Sequence, residues 1–188
     1  MVVGVLALQG DFEEHAHAIA ESGLDVALVK SIEDLMEVDA LVMPGGESTA
    51  IGKMLKSTGL DHAIKRAIKT GLKVWGTCAG AILLAEEVES KIEVNNLEMM
   101  DICVSRNAYG NQLNSFETEL EVNKYKFPVS FIRAPQIKKV GPKAETLISF
   151  DGLPVLVRQD NILVSTFHTE LYSGSTFYKW LIKEFLNG

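Results

Sequence analysis

Cysteine is scarce in this chain: two residues, Cys78 and Cys103, are too few for a disulfide framework. With an acidic composition and no leader expected, they are expected to stay free thiols in a reducing cytosol, so each needs its own explanation. No run of Lys or Arg occurs, and 18 basic residues against 25 acidic ones give a net charge of −7. That balance argues against nucleic acid, which is bound through clustered cations. No apolar stretch is long enough to span a bilayer. The opening MVVGVLALQGDF is apolar for only eight residues, lacks a basic lead-in and runs into an acidic helix start, so it is not expected to be a secretory signal. Internal repeats, low-complexity tracts and Pro/Gly-rich linkers are also missing, so residues 1–188 are expected to form one domain.

What is present is a rhythm. VVGVLAL, DVALVK, DALVMP and KVWGT are β-branched runs, separated by helical patterns in DFEEHAHAIAES and from Ser48 to Thr70. This alternation predicts an α/β fold with a mostly parallel sheet between two helical layers. The runs Val2 to Leu8 and Ala40 to Met43 are apolar throughout, as central strands covered on both faces require. Beyond Leu84 the pattern becomes shorter strands and turns. DGLP and RQDN carry turn formers, which predicts an antiparallel hairpin from residues 154–158 and 161–166, and a final helix is expected from Ser175 to Leu186.

The segment KVWGTCAGAILLA reads as a nucleophile elbow: a strand meets Gly76-x-Cys78-x-Gly80 and then a helix. Small flanking residues are needed because the backbone is crowded at such a turn. A cysteine there sits at a helix N-terminus, whose amides and dipole favour a thiolate, and the next amide, of Ala79, can face a developing oxyanion. A cysteine between strand and helix also commonly serves as a small apolar filler, the reading that suits Cys103 in DICVS.

In NILVSTFHTELY a strand ends in His168-Thr169-Glu170. Residues two apart share a face of a strand, so the carboxylate can reach the imidazole if the extended backbone continues to Glu170. It can then fix the tautomer and stabilise the cation. Earlier, LVMPGGEST takes a strand through two glycines into a helix, a loop that offers amides to an anion. A phosphate loop, Gly-x-x-x-x-Gly-Lys-Ser/Thr, would need Gly where Glu47 stands and Ser or Thr where Met54 follows Gly52-Lys53. The Gly46 amide is better read as a second oxyanion donor facing the elbow. His15 and His17 are expected on a surface helix and His62 just after a helix start. No His/Cys set has the spacing of a four-ligand metal site, so no metal is expected.

Taken together, GTCAG, FHTEL and PGGEST resemble the class I glutamine amidotransferases. Within that class, VLALQGDFEEH, PGGEST, GTCAGAILLA, SRNAYGNQLNSFE, FIRAP and STFHTEL resemble the family of glutaminase subunits of pyridoxal 5'-phosphate synthase. The resemblance implies that Cys78 attacks the side-chain amide of L-glutamine, that Gly46 and Ala79 form the oxyanion hole, and that His168, supported by Glu170, protonates the departing ammonia before water cleaves the thioester. Gly46, Glu47, Ser48, Arg106, Ile132 and Arg133 are implied to line the glutamine site. Gln9 is implied to act in activation when a synthase subunit docks as hetero-oligomer partner and receives the ammonia. No cofactor, membrane or nucleic acid is implied, and a cytoplasmic location is. The chain departs from the family pattern at Asn111, where Arg is usual, and at Glu98, where Gly is usual. The glutaminase feeding imidazole glycerol phosphate synthesis shares the elbow and His-x-Glu logic, and SRNAYGNQLNSFE and FIRAP tip the choice away from it. A redox or binding protein built around a sensor cysteine has no need of the His168/Glu170 pair.

Overall fold

The computed structural model describes residues 1–106 and 115–188; the expected departure at Asn111 and most of SRNAYGNQLNSFE lie outside the described residues. The first half alternates as its sequence rhythm predicts: β1 (Val2–Leu6), α1 (Phe12–Glu21), β2 (Asp25–Val29), α2 (Ile32–Met36), β3 (Ala40–Met43), α3 (Ser48–Thr58), α4 (Leu60–Lys69), β4 (Lys73–Thr77) and α5 (Ala79–Leu84). The second half supplies β5 (Ala85–Glu89), β6 (Met100–Ser105), β7 (Phe116–Val122), β8 (Tyr125–Phe131), β9 (Gln136–Val140), β10 (Glu145–Phe150), β11 (Leu153–Gln159), β12 (Ile162–Ser165) and α6 (Thr176–Trp180). The last helix continues as a wider π-type turn over Leu181–Leu186.

Seven strands form the main sheet in the order β10-β11-β12-β4-β3-β1-β2. From β12 to β2 every pairing is parallel, while β10/β11 and β11/β12 are antiparallel, the latter being the expected hairpin. Alternate side chains of the apolar strands serve two different cores. Leu41 and Met43 of β3 join Leu55, Leu60 and Ile64 on the side of α3, α4 and α5. Val42 between them joins Val3, Val5, Ile19, Trp75, Phe127 and Phe177 on the side of α1, α6 and the β7/β8 pair. Burial on both faces is why these runs carry no polar alternation. A smaller sheet, β5-β6-β9, packs beyond α5.

The helical stretch expected from Ser48 to Thr70 is two helices. Gly59 adopts φ +75° as the C-cap of α3, a left-handed conformation that a glycine takes without steric penalty, and α4 begins at the next residue. Glu98 also has a left-handed backbone, with φ +53°. No helix among the described residues is long and apolar enough to cross a membrane.

Candidate active site

Four neighbouring parallel strands, β1, β3, β4 and β12, release their chains at one edge of the sheet, the edge where open α/β sheets place ligands. Each of the sequence motifs leaves from one of these ends. Cys78 follows β4 with φ +51° and ψ −99°, a strained conformation for a side-chain-bearing residue. Its amide donates to the Ser165 carbonyl of β12 at 2.8 Å, and its own carbonyl accepts from Ile82 as α5 begins. The flanking glycines are required by close approach. A Cβ on Gly80 would stand 2.2 Å from the Met43 carbonyl oxygen, and one on Gly76 would stand 2.7 Å from both the Gly80 carbonyl carbon and Leu84 Cδ1. The turn therefore has the crowding expected of an elbow, and it leaves Cys78 half-buried at the edge of a cavity.

The strand expected to run into His168-Thr169-Glu170 ends earlier, at Ser165: the chain bends at Thr166 and Phe167, bridges back to β8 at His168 alone, and turns at Glu170. The His168 amide and carbonyl exchange 2.8 Å hydrogen bonds with Ser130, and Thr169 Oγ1 bonds the Pro128 carbonyl and Ser175 Oγ. In that conformation His168 Nδ1 meets Glu170 Oε1 at 2.5 Å, with both side chains buried, and the Thr169 amide donates to Glu170 Oε2 at 2.8 Å. This leaves Nε2 for Cys78. Burial opposes protonation of His168, but hydrogen bonds to Cys78 and Glu170 and the charges of both outweigh it and raise its pKa to about 11. Burial likewise opposes ionisation of Glu170, and the facing His15 and His168 with the nearby amide hold it down at about 2. His15 is itself driven below 6.5 by burial, against the pull of Glu170. It is therefore neutral at neutral pH, and there the charge that balances Glu170 is carried by His168.

A cavity of about 400 Å³ opens in front of this pair. Its walls include Gln9, Gly46, Glu47, Ser48, Cys78, Arg106, Ile132, Arg133 and His168, so the structure brings these sequence-derived residues together around one space. Ala79 and Glu170 sit behind the wall, 1% and 6% exposed. The Ala79 amide lies in the first turn of α5, where no helical carbonyl is available to it. Gln9 Oε1 accepts the amide of Glu47, next to Gly46, at 2.8 Å. Glu47 accepts from Thr49 and is ion-paired with Arg106 Nη2, which fixes the guanidinium over the cavity. Among the described residues, Ser48 Oγ and Arg106 Nη1 are buried without a hydrogen-bond partner. Unsatisfied polar groups of this kind are uncommon; of the six among the described residues, these two belong to residues on the cavity wall.

Asp11, His168 and Glu170 place their ligand-type atoms within 4.8 Å of one another. Nδ1 of His168 is already committed to Glu170 at 2.5 Å and lies 3.9 Å from Asp11, so the cluster is arranged as a hydrogen-bonded pair with a neighbour and not as a cation cradle. Sequence reasoning missed His15. It was expected on a surface helix but is fully buried, with Nε2 3.1 Å from Thr77 Oγ1 and 3.5 Å from Glu170 Oε1. The signal was available: His15 is three and four residues from Ala18 and Ile19, both on the buried face of α1, whereas His17 lies off it and is exposed. His62 is exposed, as expected of a polar residue near a helix start.

The fold and this constellation define an α/β protein with an elbow cysteine set against a buried His/Glu pair. Comparison with known proteins narrows the class. A sequence model of the SNO glutamine amidotransferase family matches residues 5–187. The chain is 46% identical over 186 residues to the pyridoxal 5'-phosphate synthase subunit PdxT of Clostridium beijerinckii, covering 97% of each chain. It is 45% identical over 184 residues to the protein of the same name from Thermus thermophilus, covering 97% of this chain and 96% of that one. A crystal structure described as a glutamine amidotransferase superposes over the whole of both chains with a TM-score of 0.93 at 42% identity. Another glutamine amidotransferase, from Thermotoga maritima, superposes over 90% of this chain and 75% of its own with a TM-score of 0.61, and at 14% identity it shares the fold alone. The chain belongs to the SNO glutamine amidotransferase family.

Proposed function

We propose that this chain, acting as one glutaminase domain, hydrolyses L-glutamine to glutamate and ammonia and supplies the ammonia to the synthase subunit of a pyridoxal 5'-phosphate synthase. Relatives named pyridoxal 5'-phosphate synthase subunit PdxT match nearly the full length of the chain. The observation that carries the chemistry is the 2.5 Å contact between His168 Nδ1 and Glu170 Oε1 behind a cavity whose wall holds the strained Cys78.

In this reading the Cys78 thiolate attacks the side-chain carbonyl carbon of glutamine. The C–O π pair moves to oxygen, and the amides of Gly46 and Ala79 hold the oxyanion. Protonated His168 gives its proton to the amide nitrogen as the C–N bond breaks, so the leaving group is neutral ammonia. A water, deprotonated by the now neutral His168, adds to the thioester. Collapse releases glutamate and returns the thiolate/imidazolium pair. Glu170 stays ionised throughout and keeps the imidazole proton on Nδ1. Arg106, held by Glu47, receives the substrate α-carboxylate as a charge-assisted donor, and Ser48, Ile132 and Arg133 complete the walls. Gln9, on the amide next to Gly46, couples the oxyanion region to docking of the synthase subunit. The setting is cytoplasmic.

The test is an assay of ammonia and glutamate release with and without the cognate synthase subunit. Little release by the chain alone and a large rise with the partner is expected. Absence of release in both conditions overturns the proposal.

A further inference from the structure

The hydrolytic steps above give no task to His15. Its ring is fully buried beneath the site, edge-on to Trp75 with centroids 5.2 Å apart at 84°. Nε2 points between two acceptors, Thr77 Oγ1 at 3.1 Å and Glu170 Oε1 at 3.5 Å, while Nδ1 has no hydrogen-bond partner among the described residues. This geometry selects a tautomer. With the proton on Nδ1, a buried N–H donor would be orphaned; with the proton on Nε2, the orphan is a lone pair, and the N–H is shared between a hydroxyl and a carboxylate. The charged groups facing the ring are Glu170, His168, Asp11 and Glu14. The carboxylates favour the cation and His168 disfavours it, but burial dominates and leaves the ring neutral at neutral pH.

We propose that His15 is a positioning residue for glutamine hydrolysis: as a neutral Nε2–H donor it ties Thr77, the residue before the nucleophile, to the Glu170 carboxylate, and keeps that carboxylate aimed at His168 Nδ1. Thr77 ends β4 and Glu170 lies in the loop beyond β12, and α1 delivers the ring that joins them. The contact to Thr77 is a hydrogen bond, and the longer one to Glu170 is an ion–dipole contact that opposes the carboxylate's rotation away from His168. A second cation at this point would compete with His168 for Glu170, so a buried imidazole held neutral fits better than Lys or Arg. Trp75 Nε1, bonded to Ser165 Oγ at 3.1 Å, fixes the indole on which the ring rests. This role rests on the hydrolytic reading of Cys78, His168 and Glu170.

Two measurements test it. In the wild-type chain, 15N spectra of the histidine rings should show His15 neutral with its proton on Nε2 at pH 7; a charged ring or an Nδ1–H tautomer overturns the proposal without any reference to activity. With the synthase subunit present, wild-type glutaminase activity is measured first, because its absence sinks the hydrolytic reading and not the assignment of the ring. His15→Leu should then lower kcat by about 10–100-fold, the range usual for partners that orient a functional side chain, with KM within about twofold. His15→Gln, whose terminal amide nitrogen reaches close to the place of Nε2, should recover activity to within roughly threefold of wild type. A His15→Leu enzyme with wild-type kcat, or a Gln variant no better than the Leu variant, overturns it.

Discussion

Replacing Glu170 by Gln keeps the volume of a side chain that is 6% exposed and removes its charge. The carboxylate accepts from two donors on separate oxygens, His168 Nδ1 at 2.5 Å and the Thr169 amide at 2.8 Å. A carboxamide has one oxygen and one NH2 group, so it can satisfy only one of those donors and must turn its own hydrogens toward the other. If the oxygen stays with Thr169, His168 has to accept on Nδ1, its proton moves to Nε2, and the imidazole can no longer take a proton from Cys78. If the oxygen stays with His168, the Thr169 amide is buried against another donor. Loss of the charge alone removes a charge-assisted bond of about 1.5–3 kcal/mol, equivalent to roughly 10–100-fold in rate. Tautomer loss acts on top of this, and acid-to-amide changes in triads of this logic reach about 10⁴ in kcat. The expected result for Glu170→Gln is a fall in kcat of about 10²- to 10⁴-fold with a KM within a few-fold of wild type. The orphaned donor should also lower stability by about 1–3 kcal/mol, seen as a Tm drop of roughly 2–12 °C for a chain of this length. Glutamate release in the presence of the synthase subunit, with thermal unfolding as the control, reads both effects. A variant within about threefold of wild-type kcat would refute the reasoning, since neither the charge nor the tautomer would then matter to the rate.

Gly80→Ala places a methyl group 2.2 Å from the Met43 carbonyl oxygen, part of strand β3 that cannot swing aside. A loss of about 1–3 kcal/mol and a Tm lower by roughly 2–12 °C are expected, and an unchanged Tm would contradict the packing of the elbow. Glu98→Gly should act in the opposite sense. Its exposed left-handed backbone at φ +53° strains a non-glycine residue by about 1–2 kcal/mol, offset by about 0.5–1 kcal/mol of added freedom in the unfolded chain. A higher denaturation midpoint checks this, and a lower one refutes it. For pH, the folded pKa of His168 is raised from 6.5 to about 11, so its stabilisation is complete below 6.5 and is lost as pH rises through 11. Glu170 is depressed from 4.5 to about 2, so its share is present above 4.5 and is lost as pH falls through 2. Because Cys78 supplies part of the His168 shift, Cys78→Ala should begin to lose stability at a lower alkaline pH than wild type. Superimposable Tm–pH curves for the two proteins would refute that coupling.

Much of this architecture is legible in the residues because it follows from short-range rules. Strands such as Ala40–Met43, apolar at every position, can only lie between two covering layers, and the structure gives their alternate side chains to two cores. The glycines two residues either side of Cys78 reflect a backbone contact of strand-to-helix turns, and the close spacing of His168 and Glu170 lets their side chains meet although the strand itself ends at Ser165. Long-range pairing is less legible. Neither the anchoring of Arg106 by Glu47 nor the capture of the Glu47 amide by Gln9 follows from spacing, since each joins loops that only the strand order brings together. Gly59 illustrates an intermediate case: a single glycine in a helical pattern is usually tolerated, and here the restart at Leu60-Asp61 makes it a cap. His15 was obscured by its company, because Glu13, Glu14 and His17 give the start of α1 the look of a solvated helix although the buried stripe runs through His15.

The most direct test of the account is covalent. The chain with its synthase subunit is treated with an electrophilic glutamine analogue, digested, and mapped by peptide mass spectrometry. The account predicts one adduct, on Cys78, formed in step with loss of glutaminase activity and prevented by excess glutamine. Modification at Cys103 with Cys78 untouched, or full inactivation without an adduct on Cys78, would contradict it.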